Sequence, residues 1–261
     1  MNELHARLIL GEEPYRIDLS RGTSLAIPIG PDGRHPRFFL DEPARFSRFE
    51  SSGFVGEVVS GGSCNVSAVC LVPHCHGTHT ECVGHITQEA IDVQSVCQPG
   101  LIPACLVSVE PGAADSETSV GVGPVIRADQ LDWPDWTRAL VIRCLPNDPG
   151  KIDRHYGQSP PYPLLSAEAM EKIVAAGIEH LLIDTPSVDA ADDGGVLAQH
   201  RRFWQLPSGS ATANDARRHC TITEMIFVPD SLPDGPYLLS LAVSAIRGDA
   251  SPSNPTLFPL R

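Results

Sequence analysis

The chain has 261 residues, of which 42% are hydrophobic and 20% charged, and its formal net charge is −13. That length fits one large domain over residues 1–261, and the composition supplies a sizeable core and excludes a disordered chain. A surface this acidic repels phosphate backbones and anionic headgroups, so neither nucleic acid nor a membrane is expected as a partner.

In chain order, residues 1–7 carry no basic region leading into an apolar run, and no stretch of 18 apolar residues occurs anywhere. The expectation is a cytoplasmic protein with neither signal peptide nor membrane span. In the first 50 residues, Pro28, Pro31, Pro36 and Pro43 interrupt any regular period. An ordered, irregular segment is expected there, with Phe38, Phe39, Phe46 and Phe49 as core or subunit-interface anchors. Strands are predicted at 54–59, 66–72, 104–109, 139–144, 180–184, 221–228 and 237–246 from their brevity and β-branched content. The runs 139–144 and 180–184 are almost continuously apolar, as in strands buried on both faces.

One helix is predicted at 166–176. Ser166 can accept a free amide of the first turn, and Glu168 sits where the helix dipole favours an anion. Met170, Ile173 and Val174 share one face, and Gly177 can close the helix in the left-handed conformation. Strand, helix and strand between 139 and 184 make a βαβ unit and argue for an α/β fold. The eight cysteines include no Cys-x-x-Cys pair, so buried, reduced thiols are expected rather than a zinc ribbon.

Residues 74–85 carry the chemistry. They read His-Cys-His-Gly-Thr-His-Thr-Glu-Cys-Val-Gly-His, which places four of the chain's ten histidines, two cysteines and a glutamate within twelve residues. Imidazole, thiolate and carboxylate are all metal ligands, and a carboxylate can bridge two ions. In extended chain Cys75, His79, Glu81 and His85 project to one side. Gly77 permits a tight turn before them. His74 and His76 flank Cys75 and are alternative ligands. Glu224 lies on a predominantly apolar face with Ile222, Ile226 and Val228, where a lone carboxylate is costly without a partner. Asp192-Asp193-Gly194-Gly195 reads as a turn.

The segment resembles the family of kynurenine formamidases, isatin hydrolases and related cyclases, whose central motif is His-x-Gly-Thr-His-x-Asp-x-Pro-x-His. Gly77-Thr78-His79 matches its core, and His85 falls at its last histidine. Elsewhere in the chain, Ile17-Asp18-Leu19-Ser20, Leu182 to Asp189, His200, Ile222-Thr223-Glu224 and Ser251-Pro252 are similar to family segments in the same order. The resemblance implies an α/β fold around a mixed, partly closed β-sheet with flanking helices, assembled as a dimer or tetramer. It implies that His79 binds a first ion, that Glu81 stands at the bridging aspartate, and that His200 and Glu224 bind a second. His85 falls at the general acid–base position. Cys75 occupies the first ligand position, Glu81 adds a methylene, Cys82-Val83 replaces the small residue and proline, and Asn254 stands where arginine is usual. A thiolate at position 75 makes the site softer and favours zinc, as one or two ions, over manganese.

The function expected is hydrolysis of a C–N bond in a small aryl formamide, lactam or cyclic amide. A lactone hydrolase using the same site, and a non-catalytic metal- or ligand-binding member of the fold, are the alternatives.

Overall fold

The structure is a computed structural model, and it describes residues 4–113, 123–158 and 161–261. Met1 to Glu3, within the stretch read for a leader, lie outside the described residues. Seven strands form the body: β1 (His79–Cys82), β2 (Ile102–Val109), β3 (Ala139–Cys144), β4 (His180–Ile183), β5 (Thr221–Glu224), β6 (Gly235–Val243) and β7 (Ala250–Pro259). They pair in the ring β1-β5-β4-β3-β2-β6-β7 and back to β1. Strands β2, β3, β4 and β5 run parallel, and the pairings through β6, β7 and β1 are antiparallel. The mixed sheet therefore closes into a barrel with no open edge among these strands, and the short strand Thr23–Ser24 adds beside β7.

The predicted βαβ unit is present. Helix α1 (Ala167–Ala175) carries β3 to its parallel neighbour β4. The Ser166 hydroxyl accepts from Ala169 N at 3.1 Å, and Gly177 follows the helix with φ +75°. Both faces of β3 are buried. Ala139 and Val141 pack with Leu106, Leu182, Leu239 and Leu257 inside the ring. Leu140 and Ile142 pack outward with Met170 and Ile173 of α1 and with Phe203 and Trp204 of α2 (Ala198–Trp204).

Two strands carry the fold around the site and were not expected. Strand β1 lies within the ligand segment itself. Strand β7 holds Pro252, Pro255 and Pro259, residues that remove ladder donors and obscure the pattern. The predicted strand 221–228 stops at Glu224, because Met225 takes φ +52° and turns the chain. The predicted strand 54–59 shortens to Phe54–Val55 before a 3₁₀ turn at Val58–Ser60. In the N-terminal segment Phe38 is buried, whereas Phe39 and Phe49 are exposed. The Asp192–Gly195 stretch forms turns, with Asp193 accepting from Gly195 N and Leu197 N. All eight cysteines are free and six are buried. Among the described residues no helix is long and apolar enough to cross a membrane.

Candidate metal centre

Strands β1 and β5 run antiparallel with Glu224 directly opposite His79 and Ile222 directly opposite Glu81. Side chains alternate along a strand, so His79, Glu81, Ile222 and Glu224 share one face. Ile222 belongs to the core under the helices, so this face looks outward toward α2, and α2 brings in His200. His200 Nε2 lies 2.8 Å from Glu81 Oε1 and 3.9 Å from Glu224 Oε1. His79 Nε2 lies 3.5 Å from Glu224 Oε2. This inner cluster is fully buried, and His79, Glu81 and Glu224 offer donor atoms within 4.8 Å of one another.

A second cluster sits at the edge. His74 Nε2 is 3.5 Å from Glu81 Oε2, and His85 Nε2 is 3.8 Å from the same oxygen. The two rings stack at 4.3 Å between centroids. Their side chains are about a quarter exposed, so solvent reaches the site from this side. Glu81 is common to both clusters.

The histidines are tethered so that Nε2 faces the carboxylates. His79 Nδ1 bonds the carbonyl of Gly77 at 3.1 Å, His200 Nδ1 bonds Asp189 Oδ2 at 2.6 Å, and His85 Nδ1 bonds Asp249 Oδ2 at 3.2 Å. Such an outer partner fixes the tautomer and orientation of a ligating imidazole. Gly77, at φ +82°, makes the turn into β1, and a Cβ there would meet Ile29 at 3.1 Å. The Thr78 hydroxyl donates to Met225 O and accepts from Ile27 N, tying the entry of β1 to the exit of β5.

Burial alone would neutralise Glu81, yet the fields of His85, His200 and His74 hold its carboxyl down at about 2. Burial likewise opposes charge on His200, but Glu81 and Asp189 push its pKa well above the ordinary value. The site is built for ionised carboxylates, and buried anions require cationic partners.

The donors fit a divalent cation. Buried His79 Nε2, His74 Nε2 and Glu81 Oε1 make no hydrogen bond, although each points into the cluster; the close approach of His200 to Glu81 lacks hydrogen-bond alignment. Orphaned buried donors and acceptors are rare in proteins and need an explanation. Imidazole and carboxylate together suit zinc, manganese or iron.

The structure unites five residues expected at the site, His79, Glu81, His85, His200 and Glu224, and regroups them. His79 joins Glu224 and Glu81, while His85 shares the edge cluster with His74. Cys75 is brought to neither cluster. The alternation argument assumed extended chain through residue 75, but Pro73–Cys75 is a 3₁₀ turn, and it is His74 that turns toward Glu81. Cys75 is buried, and burial pushes its thiol pKa up, away from the thiolate a ligand requires. The argument for zinc over manganese on thiolate softness falls with it. Glu224 also departs from its expected neighbours: Ile226 and Val228 pack inside the ring, because the turn at Met225 reverses the alternation.

The family model "Putative cyclase" matches residues 17–190 of the chain. The chain belongs to the cyclase family. A search of curated proteins finds no match to this cyclase-family chain. Among solved structures it is similar to an isatin hydrolase bound to the product analogue thioisatinate, with a TM-score of 0.63 and 16% identity over 92% of both chains. It is also similar to isatin hydrolase A from Ralstonia solanacearum, with a TM-score of 0.62 and 14% identity over 91% of both chains. A third, a predicted metal-dependent hydrolase from Bacillus stearothermophilus, has a TM-score of 0.56 and 15% identity, covering 91% of this chain and 98% of that one. At these identities the likeness is one of fold.

Proposed function

We propose that this cyclase-family chain is a metal-dependent hydrolase that opens the C–N bond of a small aryl formamide, lactam or cyclic amide. The observation that carries the reading is Glu81, buried and shared by two clusters into which four histidines direct Nε2. The isatin hydrolases of the same fold support it, since isatin is itself a cyclic amide. Glu81, His79, Glu224 and His200 would hold a cation on the buried side, with His74 at the edge, and His85 Nε2 stays free of it. Zinc and manganese both suit this set as one or two ions. A cation there supplies charge that polarises a carbonyl and acidifies water.

The residues account for the remaining chemistry. Water adds its oxygen to the carbonyl carbon, the C–N bond breaks, and one proton moves to the leaving nitrogen. His85 reaches the open edge with Nε2 toward Glu81, placed to take that proton and return it. The buried walls around Glu81 and Glu224 exclude bulk water from the inner side.

The reading includes assembly as a dimer or tetramer. Exposed Val58, Val59, Val69 and Val72 would be available to such a contact; equilibrium sedimentation giving a monomer would remove that part. The chemical test uses protein stripped by chelator and reloaded with zinc or manganese, assayed on formanilides, isatin-type lactams and matched lactones. Metal-dependent opening of an amide that His85→Gln abolishes is the expected result. Turnover of lactones alone would make it an ester hydrolase. Tight metal binding with no turnover of any class would make it a binding protein.

A further inference from the structure

We propose that Asp249 is the positioning residue for His85. Its carboxylate holds the Nδ1–H of that ring, fixes the tautomer, and leaves Nε2 as the atom that takes and returns a proton. The inference rests on the hydrolase reading above and assigns a role to a residue outside the ligand segment.

A neutral imidazole carries one N–H, and the nitrogen hydrogen-bonded to a carboxylate keeps it. His85 Nδ1 lies 3.2 Å from Asp249 Oδ2, and its Nε2 faces Glu81 Oε2 at 3.8 Å. Asp249 is 164 residues away in sequence, yet its backbone is fixed on both sides of the contact. Cys82 N donates to Asp249 O at 2.9 Å, Val93 N donates to Gly248 O at 2.8 Å, and the next residue, Ala250, pairs directly with Glu81 across the β1–β7 ladder. The carboxylate is therefore held in register with Glu81 by main-chain bonds.

Its bonding separates Asp249 from the donor set. Its Oδ2 approaches His74 Nε2 at 3.0 Å without the alignment of a hydrogen bond, so His74 keeps that nitrogen for a cation and Asp249 bonds His85. The inner rings use the same device, His200 on Asp189 and His79 on Gly77 O. At His85 the acceptor is 40% exposed, at the edge that solvent reaches.

The test labels histidine with ¹⁵N in the metal-loaded chain and reads each ring's tautomer from long-range ¹H–¹⁵N spectra, with His85→Gln assigning the signal. The native ring is expected as Nδ1–H. In Asp249→Ala it goes over to a mixture in which Nε2–H is populated, and in Asp249→Glu the Nδ1–H form persists. Bound metal stays at the native level in both, while kcat/KM on an opened amide falls about 10–100-fold in the alanine variant and recovers in the glutamate variant. A His85 that stays Nδ1–H in Asp249→Ala overturns the proposal, as does loss of bound metal in that variant equal to the loss in His74→Gln. The tautomer is read without substrate, so failure to find an amide that is opened counts against the hydrolase reading and leaves this inference to be decided by the spectra.

Discussion

An imidazole has two nitrogens, and the chemistry of this site depends on which of them faces inward. At His79, His85 and His200 the outer nitrogen is tied to Gly77 O, Asp249 and Asp189, so each ring presents Nε2. Glu81 lies where those presentations converge, and its removal should cost most. Glu81→Gln keeps the shape but loses the anion, and plasma mass spectrometry should find bound metal near zero. His74→Gln should bind less metal than native protein, whereas Cys75→Ser should bind as much, since the Cys75 sulfur joins neither cluster. A loss of metal in Cys75→Ser would restore the thiol as a ligand. His79, Glu81 and His85 were legible because they lie within seven residues of one another, in or beside strand β1. Cys75 was misplaced because a 3₁₀ turn beginning at Pro73 shifts the alternation by one residue. Asp249 left no trace in its own neighbourhood, since its role exists only once β7 lies against β1.

Elements were legible where their own sequence determines them. Helix α1 has its cap, its apolar face and its terminal glycine within a dozen residues, and strand 139–144 was placed to the residue. Helix α2 has no such signal. Its first flanking residue is Leu197 in the left-handed conformation, which cannot cap. The cap comes from Asp189, whose oxygens accept from Gln199 N at 2.8 Å and His200 N at 3.1 Å while also holding the His200 ring. One carboxylate thus starts the helix and aims its histidine at Glu81. Asp189→Ala should lower stability by about 1–2 kcal/mol through the lost cap. Metal affinity should fall about 10–100-fold through the loosened ring. Urea titration and metal-binding calorimetry read the two losses, and an unchanged metal affinity would show that His200 needs no tether. Strand β4 offers a pH test remote from the site. Burial, with a smaller effect of His219, pushes the His180 pKa down to about 4, and its Nδ1 meets Thr221 Oγ1 at 2.8 Å. The unfolded chain binds a proton near 6.5 that the folded chain refuses until about 4, so stability falls as pH drops through that window. The loss should be on the order of 2–3 kcal/mol between pH 6.5 and 4. His180→Gln should flatten that part of the urea-midpoint profile relative to native protein, and parallel profiles would remove His180 as its source.

At the scale of the molecule, closure of the barrel assembles the site. The donors come from residue 74 in the turn before β1, from β1 itself, from α2 and from β5, with Asp249 leading into β7. None of these elements can place two carboxylates and four histidines alone, and the ladder Glu224 opposite His79 exists only when β5 returns antiparallel to β1. The parallel half of the barrel could be read from its apolar runs. In the antiparallel half β6 was read within 237–246, but β1 and β7 were not, because polar ligands in β1 and prolines in β7 replace the hydrophobic pattern that marks a strand. This arrangement leaves Glu81 Oε1 and His79 Nε2 buried beside Glu224 without a hydrogen-bond partner, an unfavourable state that a bound cation would relieve. A cation bound only by the folded chain stabilises it by mass action, about 2.7 kcal/mol when free metal is 100 times its dissociation constant. For a chain of this size each kcal/mol moves the melting temperature by about 2–4 °C. Stripping metal with a chelator should therefore lower Tm by roughly 5–10 °C, and readdition of zinc or manganese should restore it. Glu81→Gln should melt at one temperature with or without metal, because the residue common to both clusters no longer carries charge. If native protein and Glu81→Gln respond to chelator alike, the stabilising ion sits elsewhere; if neither responds, the two clusters hold no ion tightly enough to support the hydrolytic reading.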